Sequence, residues 1–515
     1  MKYFNHLLSL TVSVACVLAS CNGGQADKSG MPYEKTVTIS KQVLLDKIKG
    51  GWTAQTIGCT YGGPTEFRYR GTTIPDSVEL KWYDDYCADV FNNYATLYDD
   101  VYMDITFLEV MSRDGYKTPS SSYAQAFANA DYFLWHANQA ARYNILNGIE
   151  APQSGYWKNN PHADDIDFQI EADFIGMITP GMVNTATEIC DTIGHIMNYG
   201  DGYYGGVFVA TLYSLAYLTE DIPTLINEAL KVIPSESKFH QCIADVVRFH
   251  AQYPDDWHSC WGEIEKLYSD EKGCPEGVFA PLNIDAAINA AYCVMGLLYG
   301  DGDFKRTMEI STRCGQDSDC NPATAAGILG VMIGYDRIPA EWKPAIEKCE
   351  DIKFPFTSTS LADAYKITLS IMGEVIKDNG GKEDLDSYII KVQTPRTVPF
   401  EVAFEGLKPV QKQQLNVTLD PEAAWNFNGT AVVLNGYVKK IDQNAPDGYV
   451  AQLEAAVDGG VVETYTMPLS YVKRKLEVFY SYDLDPGEHE LMVKWLNPDP
   501  RYAIQCTELI NYENE

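Results

Sequence analysis

The chain has 515 residues, which is too long for one ordinary core, so we expect two domains. Its content of 46% hydrophobic and 12% aromatic residues is typical of a globular protein and excludes a disordered one. The formal net charge of −32 argues against a nucleic-acid partner and favours a substrate that is small, neutral or bridged by metal.

The N-terminal residues 1–20 predict a lipoprotein signal peptide. Lys2 precedes an apolar run from Leu7 to Leu18 that is short for a membrane span. The following Ala19-Ser20-Cys21 resembles a bacterial lipobox, which predicts cleavage before Cys21 and lipidation of its thiol. An ordinary signal peptide with a chance cysteine is the alternative. We therefore expect a tether over residues 21–39 and a cell-envelope lipoprotein of a Gram-negative bacterium, facing the periplasm or the outer surface, with membrane contact through its lipid anchor only.

Residues 40–377 predict one large all-α domain. Ser40 is a good N-cap for a helix that places Val43, Leu44 and Ile48 on one stripe. No strand–helix alternation and no dinucleotide-binding fingerprint interrupts the helical pattern. Further helical patterns cover residues 102–111, 123–147, 185–199, 206–218, 222–232, 238–253, 284–299, 322–334 and 361–377.

Residues 378–515 predict a β-sandwich domain with a jelly-roll-like arrangement of about eight short strands. Turn signals such as Asp458-Gly459-Gly460 separate segments that alternate between apolar and polar residues. These segments are residues 388–392, 398–404, 414–419, 430–438, 448–457, 461–468, 475–481 and 489–495.

A pair of carboxylates in the helical domain is the strongest candidate for chemistry. Asp317 and Asp319 precede Pro322 and a run of small residues that predicts a helix start. Two carboxylates this close favour a hard cation such as Mg²⁺, Mn²⁺ or Ca²⁺ between them. The alternative is that Asp319 caps the helix while Asp317 is solvated. A Ca²⁺-binding loop of the EF-hand type is excluded, because it needs Gly and Glu where this chain has Pro322 and Ile328.

Other acidic segments offer partners for this pair. Asp99 and Asp100 open a predicted helix, and Asp104 shares a face with Asp100, which is unfavourable unless a cation offsets the charge. A glycine-rich loop presents Glu66, while Glu171 and Asp173 lie among apolar residues and are expected to be partly buried. We find no serine-hydrolase, P-loop or H-E-x-x-H motif. The isolated His162 and His195 and the scattered cysteines are expected to have structural roles.

In chain order these segments resemble the ADP-ribosylglycohydrolase family. The family's markers are a Gly-rich first helix followed by Glu, a T-D-D helix start, a central Gly-rich stretch, a G-G-D-T-D-T-N helix start and an I-P-x-x-W turn. They match residues 51–66, 98–103, 201–206, 315–321 and 338–342 of a region that spans about residues 40–377. In two places the chain has Tyr98 or Cys320 where the family has a metal-ligating Thr.

The resemblance implies a metal-dependent glycosyl hydrolase with a small sugar or nucleotide substrate and two bound Mg²⁺ ions, with Mn²⁺ or Ca²⁺ as alternatives. Its implied metal ligands are Asp99, Asp100, Asp317 and Asp319. The expected catalytic residues are Glu66, Asp100 and Asp317, with Glu66 as substrate gate or acid/base. The expected substrate contacts are Glu171, Asp173, Asp201, Tyr203 and Gly205. A non-catalytic carbohydrate- or nucleotide-binding lipoprotein on the same scaffold remains the alternative, and the sequence leaves the oligomeric state open.

Overall fold

The structure is a computed structural model that describes residues 30–269 and 273–515. The expected signal peptide and the lipidated Cys21 lie outside the described residues. In the part that is described, none of the helices combines the length and the apolar character that crossing a membrane requires.

The helical part begins where the sequence predicts. Ser40 caps the first helix by accepting a hydrogen bond from the backbone N–H of Val43. The helices of the described residues are α1 Lys41–Gly62, α2 Tyr86–Asn93, α3 Asp99–Asp114, α4 Ser120–Asn129, α5 His136–Leu146, α6 Asp173–Ile178, α7 Val183–Gly194, α8 Asp201–Ala216, α9 Ile222–Ala229, α10 Lys238–Gln252, α11 Trp257–Tyr268, α12 Ala286–Gly300, α13 Phe304–Arg313, α14 Cys320–Ile333, α15 Lys343–Glu347 and α16 Leu361–Asp378.

Helices α1 and α14 pack against each other through glycines, and this contact positions the candidate site. A Cβ on Gly58 would lie only 2.6 Å from the backbone nitrogen of Ala323, and one on Gly62 would lie 2.8 Å from the Cα of Asp319. The absence of side chains at Gly58 and Gly62 allows the two backbones to touch. The end of α1 therefore lies directly against the loop that carries Asp317 and Asp319.

The strands between residues 30 and 515 that the structure describes form three antiparallel sheets. A small sheet of order β1-β3-β2 joins the start of the helical part to its end, and two four-stranded sheets have the orders β4-β11-β6-β9 and β5-β10-β7-β8. The strands of the described residues are β1 Thr36–Ser40, β2 Lys382–Glu383, β3 Ser387–Lys391, β4 Leu407–Leu419, β5 Glu422–Gly429, β6 Ala431–Lys440, β7 Val450–Val457, β8 Gly460–Pro468, β9 Glu477–Ser481, β10 Gly487–Trp495 and β11 Tyr502–Asn514.

The two four-stranded sheets confirm the expected sandwich. Counted from β4 as the first strand, their orders are 1-8-3-6 and 2-7-4-5, which is the jelly-roll arrangement. The core between them takes Leu434 and Ile504 from one sheet and Leu453 and Val493 from the other. These positions alternate with more exposed ones, as expected for strands that bury one face.

Two segments expected as sandwich strands are used differently. Strand β3 pairs with β1, from Thr36 opposite Lys391 to Ser40 opposite Ser387, and so belongs to the helical part. Strand β1 thereby includes the last residues of the expected tether. Residues 398–404 form no strand, and the backbone N–H of Val398 instead donates to the carbonyl of Val232 at 2.9 Å. Strands β5 and β11, which the sequence did not suggest, complete the eight.

The helical part and the sandwich belong to one compact unit, Pro32–Glu515. Trp157 and Val278 of the helical part share a buried cluster with Phe404, Tyr482 and Tyr512. All eleven cysteines of the described residues are buried free thiols, as their scattered positions suggest.

Candidate metal centre and its cavity

The candidate site lies in a cavity of about 610 Å³ in the helical part. This volume suits a small-molecule ligand. Side chains of five segments supply its acidic and thiol groups and their neighbours: the loop after α1, the start of α3, the start of α5, residues 166–171 and the loop before α14. The acidic and thiol-bearing members are Glu66, Asp99, Asp167, Glu171, Asp317, Asp319 and Cys320.

The loop before α14 is held rigidly by its backbone. Gln316 adopts a left-handed conformation with φ of 58°. Its backbone N–H donates to the carbonyl of Tyr69 at 2.8 Å, and its side-chain amide donates to the carbonyl of Leu282 at 3.2 Å. The N–H of Asp317 donates to Oδ1 of Asn289 at 3.2 Å. This network fixes where the two carboxylates of the loop point.

The capping alternative for Asp319 is wrong. Asp319 occupies the N-cap position of α14, but among the described residues its side chain accepts no capping hydrogen bond. Asp317 and Asp319 are each only 4% exposed, so neither is solvated. Ligand atoms of Asp317, Asp319 and Cys320 all lie within 4.8 Å of one another.

The start of α3 supplies the second pair of acids. Asp99 and Asp100 occupy the first turn of the helix, and Asp99 lines the cavity. Asp100 is 1% exposed, and its Oδ1 accepts a hydrogen bond from the thiol of Cys320 at 3.2 Å. The two helix starts, more than 200 residues apart in the chain, therefore meet at one point.

Glu66 closes the cluster from the loop after α1. Its Oε1 accepts a hydrogen bond from the side-chain amide of Asn283 at 2.8 Å, and its Oε2 accepts one from the backbone N–H of Asp319 at 3.4 Å. Thr65 and Ser318 join the same two loops through their hydroxyl groups, which lie 2.9 Å apart. Glu66 thus lies beside the acid pair and faces the cavity.

These carboxylates raise one another's pKa. Burial, followed by the charge of Asp319, raises the pKa of Asp99, Asp317 and Glu66 well above the usual range. Burial and the charge of Asp99 do the same to the pKa of Asp100. No lysine or arginine in the described ranges 30–269 and 273–515 forms an ion pair with any of them. A set of buried oxygen donors without a basic partner fits a divalent cation.

Comparison with known proteins identifies the family of the helical part. A sequence profile of the ADP-ribosylglycohydrolase family matches residues 40–369. The chain belongs to the ADP-ribosylglycohydrolase family. A solved structure titled "ADP-ribosylglycohydrolase-related protein complex" is 13% identical, covers 65% of this chain and 99% of its own, and has a TM-score of 0.40. No curated protein matches the chain.

The two departures from the ADP-ribosylglycohydrolase pattern have different consequences. The hydroxyl of Tyr98 lies 2.8 Å from the Thr60 hydroxyl and 3.3 Å from the carbonyl of Cys87, so the side chain belongs to the core. Cys320 instead remains in the acid cluster. Burial and the charge of Asp100 raise the pKa of the Cys320 thiol, which keeps it protonated as a donor to Asp100 when no cation is bound.

The expected substrate contacts divide into two groups. Glu171 lines the cavity and accepts a hydrogen bond from the side-chain amide of Asn138. The other four, as the described part of the chain is folded, do not line it: Asp173, Asp201, Tyr203 and Gly205. The expectation that these four residues contact the substrate is therefore wrong for this cavity.

Each of these four residues has a local role. Asp173 accepts a hydrogen bond from the Tyr213 hydroxyl at 2.8 Å. The neighbouring Asp104 accepts one from the side-chain amide of Gln55. Oδ1 of Asp201 accepts a hydrogen bond from the backbone N–H of Phe239 at 3.2 Å. The Tyr203 ring stacks on His195 with centroids 4.2 Å apart. Gly205 leaves room for the side chain of Gln169, since a Cβ there would lie 2.9 Å from the Cβ of Gln169.

Sequence reasoning missed the amides that orient the acids. Asn283 binds Glu66, Asn138 binds Glu171, and Asn289 accepts from both the backbone of Asp317 and the side chain of Asn321. Asn289 had a usable signal, because it is the only strongly polar residue in an otherwise apolar helix. Asn138 and Asn283 lie in unremarkable contexts and had none.

Proposed function

We propose that this protein hydrolyses a glycosidic or N-glycosidic bond of an ADP-ribosyl, nucleoside or glycan-derived compound with the help of bound divalent metal. Family membership suggests a hydrolase of ADP-ribose-type glycosidic bonds. The observation that carries the metal dependence is a cluster of five acids that form no ion pair with a lysine or arginine among the described residues. Glu66, Asp99, Asp317 and Asp319 line the cavity, and Asp100 joins them from behind through Cys320.

In this proposal Asp99, Asp100, Asp317 and Asp319 would hold the metal, with two Mg²⁺ ions as the first expectation and Mn²⁺ or Ca²⁺ as alternatives. When bound, the metal supplies Lewis acidity and a fixed positive charge that orients the sugar hydroxyls. Asp100 and Asp317, which are 1% and 4% exposed, exclude bulk water from the inner side of the cluster.

Glu66 is the proton-transferring residue in this scheme. Glycosidic cleavage passes through an oxocarbenium-like state and needs a carboxyl group that activates water or protonates the leaving group. Glu66 lines the cavity, and its hydrogen bond from Asn283 holds the carboxyl group in one orientation. The carboxyl group is therefore positioned to contact a bound substrate. Glu171 and Asp167, on another wall, are placed to accept hydrogen bonds from sugar hydroxyls.

We further propose that the reaction takes place in the cell envelope. The lipobox-like segment that ends in Cys21 supports a lipid anchor. A protein in that location would meet small nucleotides or glycan fragments rather than ADP-ribosylated proteins of the cytoplasm. The strongly negative chain would bind an anionic nucleotide only where metal or a local arginine offsets the charge, and Arg68 lines the cavity.

The test is hydrolysis of an ADP-ribosyl substrate before and after chelation, with Mg²⁺ or Mn²⁺ added back. We expect chelation and Asp317→Asn each to abolish both metal binding by calorimetry and hydrolysis. Asp76→Asn, at an exposed position, is the control and should change neither. Hydrolysis that survives both chelation and Asp317→Asn would show that the proposal is wrong.

A non-catalytic binding protein is the second candidate, and the position of Tyr98 favours it. The hydroxyl of Tyr98 points into the core, so one family metal ligand has no replacement there. This candidate predicts ligand binding that tolerates Asp319→Asn and persists after chelation. The same calorimetric titration with ADP-ribose, with and without metal, separates the two functions.

A further inference from the structure

A row of aromatic side chains leads from the cavity onto the sandwich. Trp135 lines the cavity, and its ring centroid lies 6.2 Å from that of Phe133, with an angle of 25° between the ring planes. The ring of Phe133 lies 6.0 Å from that of Tyr471, in the turn between β8 and β9. The guanidinium of Arg474 lies 5.2 Å from the ring of Tyr471 and 5.2 Å from that of Tyr437 on β6. These five residues are called the aromatic row below.

Hydrogen bonds from α5 hold the sandwich end of the aromatic row against the cavity wall. The side-chain amide of Gln139 donates to the carbonyl of Tyr471 at 3.0 Å, and Arg142 donates to the carbonyl of Val472 at 3.3 Å. Gln139 and Arg142 belong to the helix that begins at His136, which lines the cavity. The cavity wall and the sandwich turn therefore form one continuous surface.

Rings of the aromatic row remain accessible to a ligand. Phe133 is 40% exposed and Tyr437 is 36% exposed, while Trp135 and Tyr471 are half-buried. Contiguous exposed apolar surface is characteristic of binding grooves. Aromatic rings offer a flat apolar face beside a polar edge, and this combination suits sugars, which have C–H faces and hydroxyl edges.

The charge of the cavity disfavours a phosphorylated ligand. Among the described residues that line it, Arg68 is the only lysine or arginine, and its side chain is exposed. Burial lowers the pKa of His136, so its imidazole adds no charge at neutral pH. Two divalent ions would balance the four carboxylates of the proposed metal site. A diphosphate would then still meet Glu66, Asp167 and Glu171 with a single cation to offset them.

The wall formed by α5 and residues 166–171 needs hydrogen-bond donors. The backbone N–H of Asn138 donates to Oδ1 of Asp167 at 2.9 Å, and its side-chain amide donates to Oε1 of Glu171. Within the described residues, Oδ2 of Asp167, Oε2 of Glu171 and Oδ1 of Asn138 are buried and accept no hydrogen bond. Buried acceptors without donors are costly. Sugar hydroxyls can donate to such atoms, whereas ionised phosphate oxygens only accept.

We propose that the substrate is a neutral oligosaccharide whose terminal sugar enters the cavity while the following sugar units lie along the aromatic row. This inference rests on the proposed hydrolysis of a glycosidic bond. The bond between the anomeric carbon of the terminal sugar and the bridging oxygen would break, and water would supply a hydroxyl to the carbon and a proton to that oxygen. A nucleoside would fill the cavity alone and leave the aromatic row unused.

The experiment is calorimetry of the full-length protein in Mg²⁺ with neutral glycans of increasing length from arabinan, xylan, galactan, mannan and glucan, beside adenosine and ADP-ribose. We expect the affinity for at least one glycan series to rise with chain length and to exceed the affinity for ADP-ribose at least about tenfold. Phe133→Ala and Tyr471→Ala should each weaken binding of the longest glycan about 3–10-fold and leave binding of the monosaccharide unchanged. Phe400→Ala removes an exposed ring outside the cavity and the aromatic row, and as the control it should change neither.

Two results would overturn the inference. One is that no neutral glycan of the panel binds, or that ADP-ribose binds more tightly than all of them. The other is a glycan affinity that does not depend on chain length, or that Phe133→Ala and Phe400→Ala change equally. Either result is compatible with metal-dependent hydrolysis of an ADP-ribosyl substrate, so the inference can fail while the proposed function stands. Length-dependent glycan binding without any hydrolysis would instead keep the ligand class and show that the proposed function is wrong.

Discussion

The contact between α1 and the loop that carries Asp317 and Asp319 predicts a large effect of one methyl group. In Gly62→Ala the new Cβ would overlap the carbonyl oxygen of Ser318 and lie 2.7 Å from its carbonyl carbon. The nearest atom is that carbonyl oxygen, 1.8 Å away, and ordinary contacts begin near 3.4 Å, so the two backbones must separate by 3.4 − 1.8, about 1.6 Å. Overpacking of this kind costs about 1–3 kcal/mol, and helix propensity returns at most about 1 kcal/mol of it.

The same displacement should weaken metal binding, because a binding constellation must be held to within about 0.5 Å. We expect Gly62→Ala to lower the free energy of unfolding in urea by about 1–2 kcal/mol and Mn²⁺ affinity in calorimetry at least about tenfold. The matched control is Gly262→Ala in the exposed face of α11, where nothing lies within 4 Å of the new Cβ. It should stabilise by about 0.5–1 kcal/mol and leave Mn²⁺ binding unchanged. If Gly62→Ala behaves like Gly262→Ala in both measurements, the reasoning is refuted.

Two further predictions concern Cys320 and Asp173. Cys320→Ser replaces a soft sulfur donor beside Asp100 by a hard oxygen donor. The ratio of Mg²⁺ affinity to Mn²⁺ affinity, measured by calorimetry, should therefore rise about tenfold. An unchanged ratio would place Cys320 outside the metal shell. Burial raises the pKa of Asp173 to about 8, so the folded state holds a proton that the unfolded state releases, and stability falls as pH rises from about 4 to about 8. The Asp173 carboxyl by itself should therefore lower the free energy of unfolding in urea by about 2 kcal/mol between pH 6 and pH 8. Because other buried carboxyls titrate in both proteins, Asp173→Asn should lose about 2 kcal/mol less than the wild type over this range, and equal losses in both proteins would contradict the prediction.

Much of the fold was readable from local sequence. Three properties of short segments predicted a helical domain followed by a sandwich. They are the helix cap at Ser40, the helical and alternating patterns of apolar residues, and the change from helical to alternating pattern after α16. The pairing of β3 was not readable, because its alternation suits any sheet and only the position of β1 decides which one it joins. Strand β5 and the long β11 were missed although turn signals border them, Asp420-Pro421 and Asn428-Gly429 for β5 and Asn497-Pro498 before β11.

For the site, the sequence by itself determined which carboxylates stand at helix starts and, through their order along the chain, that they belong to one family pattern. Only the tertiary structure decided which acids meet. Asp100 reaches Cys320, whereas Asp104, on the same helix, lies near Asp173 in a separate buried pair. It also decided that Tyr98 faces the core and that Glu477 reaches His162 across 315 positions of the chain. Such contacts depend on how whole elements pack, and helical or strand periodicity carries no information on what lies opposite a side chain.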